Sequence, residues 1–161
     1  MKRTIYCGLL RNEHIGSRQQ CAGWVLNKRD MGGVIFIDLR DREGVLQVVF
    51  DACNLTAAEF AVAESLRNQS VISVWGEVRE RDSETVNPKL KTGTVELKAT
   101  SLELLSQCDQ LPFSPEDNQV VREDLRLKYR YIDLRRPELQ RNIKMRHDLA
   151  RIAREYYYQN G

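Results

Sequence analysis

Apolar and polar residues alternate along residues 19–29 and again along 34–41, the two-residue period of a strand with one buried face. Asp30-Met31-Gly32-Gly33 separates the runs and reads as a turn. In the second run Ile35, Ile37 and Leu39 share one face, and Phe36, Asp38 and Arg40 share the other. Arg42-Glu43-Gly44 makes the next turn. Residues 45–50 follow as a third strand, with Leu46, Val48 and Phe50 opposite Val45, Gln47 and Val49. The period then changes. Thr56 and Glu59 have the spacing of a capping box and Leu55 and Phe60 that of a hydrophobic staple, which predicts a helix from about Ala57 to Arg67. Strand character returns over 71–81, where Ile72, Val74 and Val78 form the apolar parity. A polar loop with Asn87-Pro88 and Thr92-Gly93 leads to a fifth strand, 94–105, in which Val95, Leu97 and Ala99 alternate with Thr94, Glu96 and Lys98.

One helix between the third and fourth of five strands is the order of the OB-fold, a partly open barrel that often binds oligonucleotides. Another small β-barrel with a helical plug has the same element order. The fold class expected is therefore mainly β, a five-stranded barrel followed by a linker and C-terminal helices. Pro112, Ser114 and Pro115 mark the linker within 106–121, and 122–132 reads as a short basic helix. Pro137 suits the first turn of a further helix. Met145, Leu149, Ile152 and Tyr156 recur on it at helical spacing, an apolar stripe with little in this chain to cover it.

Composition narrows the chemistry. Hydrophobic residues make up 42% of the chain, enough for a core, and no run nears the ~18 apolar residues of a transmembrane helix. The start Met1-Lys2-Arg3-Thr4-Ile5-Tyr6 has no apolar stretch after it, so no signal peptide is expected and the location expected is cytoplasmic. Cys7, Cys21, Cys53 and Cys108 show no paired spacing, and His14 and His147 have no ligating neighbours, so thiol and metal chemistry are not expected. Residues 1–121 carry 14 Lys/Arg against 17 Asp/Glu, and 122–161 carry 11 against 6. The front module therefore lacks a basic field, and any RNA contact in it must be local. No Gly-rich phosphate loop and no nucleophile–base arrangement is present. Asp38, Asp41 and Glu43 read as turn and surface ion-pair groups.

A local surface does emerge. Phe36 is an aromatic ring on the polar side of its strand, where it stacks on a base or is covered by a loop. Gln47 has the non-core parity of the next strand, where its amide meets a base edge. Lys28 and Arg29 end the first strand beside it, and Arg79 and Arg81 share a face of the fourth. Glu96 is a carboxylate on the fifth strand, suited to the paired N–H donors of guanine.

Cys21-Ala22-Gly23-Trp24-Val25, Arg29-Asp30, the run Ile35 to Gly44 and Gln47-Val48-Val49-Phe50 closely resemble the N-terminal domain of bacterial aspartyl-tRNA synthetases. Leu125 to Pro137 is similar to the hinge of that family. The resemblance implies three parts: residues 1–105 as an anticodon-binding OB domain, 106–136 as a linker and hinge, and 137–161 as the first helix of a class II catalytic domain. It implies that the barrel reads the anticodon bases G, U and C of aspartate tRNA. Phe36 would stack on the central uracil and Gln47 bond it, and Glu96 would meet the guanine with Arg81 nearby. Arg29 would contact the remaining anticodon region and Asn87 would add a further contact. The loops around Met31 and Glu84 lie where discrimination of the asparagine tRNA is set. The parent family joins aspartate to its tRNA through an aspartyl-adenylate with ATP and magnesium, as a homodimer. The resemblance implies no cofactor and no catalytic residue within this chain, so binding without catalysis is its expected activity. The alternative is a stand-alone OB module that binds RNA or protein; the uncovered stripe of residues 145–156 favours a piece of a longer protein.

Overall fold

Each alternating run is a strand: β1 Arg18–Asp30, β2 Val34–Arg40, β3 Val45–Asp51, β4 Val71–Glu80 and β5 Val95–Ser106. The computed structural model describes residues 3–115 and 121–161, so the first two residues and positions 116–120 of the expected linker lie outside the described residues. The chain divides into two units, Met1–Asp109 and Gln110–Gly161. In the first, the strands close a barrel in the order β1-β2-β3-β5-β4, with β4 returning to β1. Only β3 and β5 run parallel; the other pairs are antiparallel. The barrel closes through a short β3–β5 contact, Gln47–Val49 against Glu96–Lys98.

β1 is long because it serves two neighbours. Residues 18–24 pair with β4, and residues 24–30 pair with β2, with a bulge between Val25 and Asn27. At this changeover the backbones approach closely. A Cβ on Gly23 would stand 2.2 Å from the carbonyl oxygen of Arg40, so only glycine fits there.

The barrel interior is fully buried at Val25, Ile35, Ile37, Leu39, Leu46, Val48, Phe50, Val74, Val78 and Leu97. β3 departs from simple alternation. Its outward residues Gln47 and Val49 are also buried, at 6% and 8% exposure, in the strand between β2 and β5. Gln47, of non-core parity as expected, is thus nonetheless buried.

Helix α1 spans Ala57–Ser65 and ends before the predicted Arg67, because Leu66 turns extended and enters the core at 2% exposure. Its capping box forms as expected: Glu59 N donates to Thr56 Oγ1 at 3.2 Å and Thr56 N donates to Glu59 Oε2 at 3.2 Å. Leu102 N donates to Glu59 Oε1, which ties the helix to β5. The Thr56 hydroxyl also donates to Glu59 Oε2 at 2.7 Å, and this bond first, then those from Leu102 N, Ser101 and Thr56 N, hold the Glu59 carboxyl at about 2. A folded value below the unfolded one, ~4.3, stabilises the fold above that unfolded value, and the gain is lost as pH falls towards 2. Denaturant titrations should therefore show wild type more stable than Glu59→Gln at pH 6, with the gap closing by pH 2. A gap independent of pH would remove the carboxylate from this role.

The segment before β1 docks onto the barrel through Cys7 and Leu10, both fully buried. Asp41, at 7% exposure, accepts from Cys7 N at 2.6 Å, Glu43 N at 2.9 Å and Gly44 N at 3.2 Å. Of the carboxylates read as surface groups, this one is instead a buried fastener. The four cysteines are free, and a hydrogen bond with Cys21 together with burial pushes the Cys7 thiol far above its ordinary range.

In the second unit the expected single helix over 122–132 is two: α2 Glu123–Lys128 and α3 Arg130–Asp133. Tyr129 leaves helical geometry at φ −111°, ψ 46°, which breaks the run. Asp133, fully buried, collects Arg126 Nε at 2.8 Å and Arg130 Nη1 at 2.7 Å. Burial pushes its carboxyl up, and the hydrogen bonds and charges of the two arginines outweigh that and hold it below the usual range. Helix α4, Pro137–Asn160, begins on its proline as predicted. Met145, Leu149, Ile152 and Tyr156 are exposed along it.

Candidate nucleic-acid interface

Strand register sets the site. Asn27, Asp38, Gln47, Glu96 and Arg79 are successive cross-strand partners across the outer surface of β1, β2, β3, β5 and β4. The next row holds Arg29, Phe36, Val49, Lys98 and Glu77. Alternation puts both rows on the outside, and pairing makes neighbours of residues as much as 49 positions apart in sequence, as Gln47 and Glu96 are.

Within these rows the polar groups bond to one another. Arg29 Nη2 donates to Gln47 Oε1 at 3.0 Å, and Gln47 Nε2 donates to Glu96 Oε2 at 2.9 Å. The guanidinium on one side and the carboxylate on the other leave the Gln47 amide one orientation, since a flipped amide would meet donor with donor and acceptor with acceptor. Arg29 lies 5.8 Å from the centroid of the Phe36 ring and 3.8 Å from Asp38 Oδ1. Arg81 follows the end of β4, where its N–H bonds Thr94 O at 2.9 Å. Its side chain is 4% exposed and its Nε stands 3.9 Å from Glu96 Oε2, without a hydrogen-bond partner. Burial lowers its pKa, with Glu96 and Asp38 opposing and Arg29 adding.

Arg29, Met31, Phe36, Asp38, Gln47, Arg81, Thr85 and Asn87 line one cleft of about 380 Å³, within the ~300–1,000 Å³ of small-molecule sites. Glu96 belongs to it through its bond to Gln47. The β1–β2 turn supplies one wall: Gly32 and Gly33 take φ of +73° and +88°, and Met31 is left 73% exposed. The β4–β5 loop supplies the opposite wall, with Asn87 Oδ1 accepting from Lys89 N at 3.1 Å to hold the turn.

Six of the eight residues expected at a site thus line this cleft, and Glu96 joins them by hydrogen bond. Glu84 does not: it is exposed on the short 3-10 turn Ser83–Thr85, of which Thr85 alone is in the lining. Lys28 also lies elsewhere, donating to the carbonyl of Glu64 in α1, and Arg79 is paired with Glu77 at 3.2 Å. Sequence reasoning missed Asp38 and Thr85. Asp38 shares the parity of Phe36, so alternation already pointed to it; nothing in the loop singled out Thr85.

Chemically, the cleft offers an aromatic face, an oriented amide, two guanidiniums and two carboxylates. The charges balance, so it exerts no strong pull on phosphate. Its donors and acceptors suit the edges of bases, and its ring suits their faces.

Residues 20–105 match the family of OB-fold nucleic acid binding domains, and residues 122–161 match the class II tRNA synthetases of the D, K and N type. Aspartate–tRNA ligase of Staphylococcus carnosus is 50% identical over 99% of this chain, and that of Staphylococcus aureus is 48% identical. The chain spans 27% of the length of these relatives. Among solved structures, asparaginyl-tRNA synthetase from Pyrococcus horikoshii complexed with asparaginyl-adenylate superposes over 100% of this chain and 35% of its own, with TM-score 0.82 and 26% identity. Aspartyl tRNA synthetase from Entamoeba histolytica, at 17% identity and TM-score 0.80 over 92% of this chain and 36% of its own, shares the fold. Barrel order, sequence match and superposition agree: this chain belongs to the OB-fold nucleic acid binding domains and continues into the opening of a class II tRNA synthetase domain.

Proposed function

We propose that the Phe36 cleft reads the G-U-C anticodon of aspartate tRNA, as the recognition part of a longer aspartate–tRNA ligase. The observation that carries this reading is the Arg29–Gln47–Glu96 chain of hydrogen bonds beside the face of Phe36. A base stacked on Phe36 brings its edge to an amide whose orientation is already set. Glu96 keeps a second oxygen for the N–H donors of guanine, and Arg81 offers a buried donor beside it. Asn87 and Met31 bound the cleft on its loop walls, and Met31 is the side chain placed to discriminate between the aspartate and asparagine tRNAs. Glu84 is a candidate for the same discrimination on the neighbouring turn.

In this reading residues 1–105 are the anticodon domain, 106–136 the hinge and 137–161 the first helix of the catalytic domain. The whole protein is a cytoplasmic homodimer that uses ATP and magnesium to charge its tRNA; identity to the Staphylococcus aspartate–tRNA ligases supports the charging activity. Among the described residues no group of three or more His, Cys, Asp or Glu is arranged to hold a metal ion, and no catalytic step is assigned to them. No helix among them is long and apolar enough to cross a membrane.

The test is a direct titration of the chain with anticodon stem-loops that differ in one anticodon base. Glu96→Gln should reduce the preference for G at the first position with modest loss at the others. Equal binding of all four first bases by the unmutated chain would sink the assignment of Glu96, and indifference to the central base would sink the reading as a whole.

A further inference from the structure

Both guanidiniums of the Phe36 cleft are turned onto protein acceptors or held beside a carboxylate. RNA bound there leaves its phosphates largely unmatched. Unspent donors lie elsewhere on the barrel. A hollow of about 320 Å³ is lined by residues that include Arg3, Tyr6, Gly23, Trp24, Arg42 and Val71. Two guanidiniums share the Tyr6 ring: Arg3 Cζ is 4.6 Å and Arg42 Cζ 4.5 Å from its centroid.

Among the described residues Arg3 makes no ion pair, and Arg42 spends only Nε, on Glu43 at 3.0 Å. The carboxylate of Asp41, also in the lining, is committed to three backbone N–H groups. Stacking on an aromatic ring holds a guanidinium plane in place while leaving its N–H fork for an oxyanion, the geometry that suits phosphate. Beside these donors the indole of Trp24 and the side chain of Val71 give an apolar wall.

Position connects this hollow to the cleft. Trp24 pairs with Arg40, which shares the outward parity of Asp38 and Phe36. From Phe36 to Asp41 is five residues, roughly 17 Å at the ~3.3 Å rise of a strand. At ~3.4 Å per phosphate in a stacked strand, that is roughly five nucleotides.

We infer that the Arg3–Tyr6–Arg42 hollow is a second RNA subsite, which takes one phosphate of the anticodon arm outside the three bases read and packs its nucleotide against Trp24 and Val71. The inference rests on the reading that this chain binds an anticodon arm. Arg3 and Arg42 contribute affinity without sequence preference; the Phe36 cleft contributes preference.

The test is a titration of the chain at about 50–200 mM KCl with two stem-loops, one carrying G-U-C and one with all three bases changed. Arg3→Gln and Arg42→Gln should each weaken both RNAs by the same several-fold factor and leave the preference for G-U-C unchanged. In the double variant the slope of log affinity against log salt should fall by about 0.7–0.9, one phosphate lost. Arg42→Lys keeps the charge and should keep most of the slope. A scan of the G-U-C RNA with neutral methylphosphonates, against unmutated protein, should find one sensitive position outside the anticodon. That sensitivity should vanish in the double variant, and the scan itself needs no substitution to fold. An unchanged slope in a folded double variant, or a scan with no sensitive position, overturns the subsite. Loss of G-U-C preference in unmutated protein with the slope effect intact would instead overturn the anticodon reading alone.

Discussion

Phe36→Ala is expected to weaken binding of a G-U-C stem-loop by about 1–3 kcal/mol, the usual worth of one base–aromatic stack and roughly 5- to 150-fold in affinity. The ring is half-buried on the outer face of β2, and Arg29 lies over it. Removing it withdraws the stacking surface and one contact that steadies the guanidinium. Gln47→Ala should cost a similar amount by a different route. The amide separates Arg29 from Glu96, and its loss leaves a nearly dry gap between a cation and an anion. The two variants share one network, so their combined loss should fall short of the sum of the single losses. Fluorescence anisotropy with labelled stem-loops measures all three. Wild-type affinity in Phe36→Ala would show that the ring is packing and that bases are held elsewhere.

Asp41→Ala is expected to destabilise the barrel by roughly 3 kcal/mol, because three backbone N–H groups lose their acceptor at once and an unsatisfied buried donor costs ~1–3 kcal/mol. The donors belong to Cys7 in the N-terminal segment and to Glu43 and Gly44 in the β2–β3 turn. One carboxylate therefore closes the turn and docks the segment. A fall in Tm of more than ~10 °C in a circular-dichroism melt corresponds to this loss. Asp41→Asn retains one acceptor oxygen and should fall between the two. A shift of only a degree or two would mean that Cys7 and Leu10 dock the segment by apolar burial alone.

The site was partly legible because strand parity is a local property. Phe36 and Asp38 fall on one side of β2 whatever the rest of the chain does, and Gln47 falls opposite Leu46 and Val48 in the same way. What parity does not carry is depth. Gln47 reads only as a non-core residue from its own strand, yet it is buried, bonded to Arg29 of β1 and Glu96 of β5. Arg81 shows the same limit. Its parity matched Arg79, yet Arg79 is an exposed partner of Glu77 while Arg81 is buried beside Glu96. Lys28 and Arg29 are adjacent in sequence and diverge in space, one towards α1 and one towards the cleft, as alternation requires. The expected helix over 122–132 failed for a related reason: its composition is helical throughout, and the break at Tyr129 comes with Asp133 drawing in Arg126 and Arg130.

The sequence by itself determined the order and faces of the strands, the capped start of α1, the proline start of α4 and the family resemblance, because periodicity, capping and motif runs involve residues close along the chain. Only the tertiary structure decided which strands are neighbours, and hence that Arg29, Phe36, Gln47, Arg81 and Glu96 meet. The parallel pairing of β3 with β5 sets Gln47 against Glu96 across 49 positions of sequence. That register is imposed by closing the barrel around one apolar core, a condition on the whole chain that no local pattern expresses. Docking of the N-terminal segment likewise brings Tyr6, beside Arg3, onto Arg42, where the sequence showed no more than separate charges.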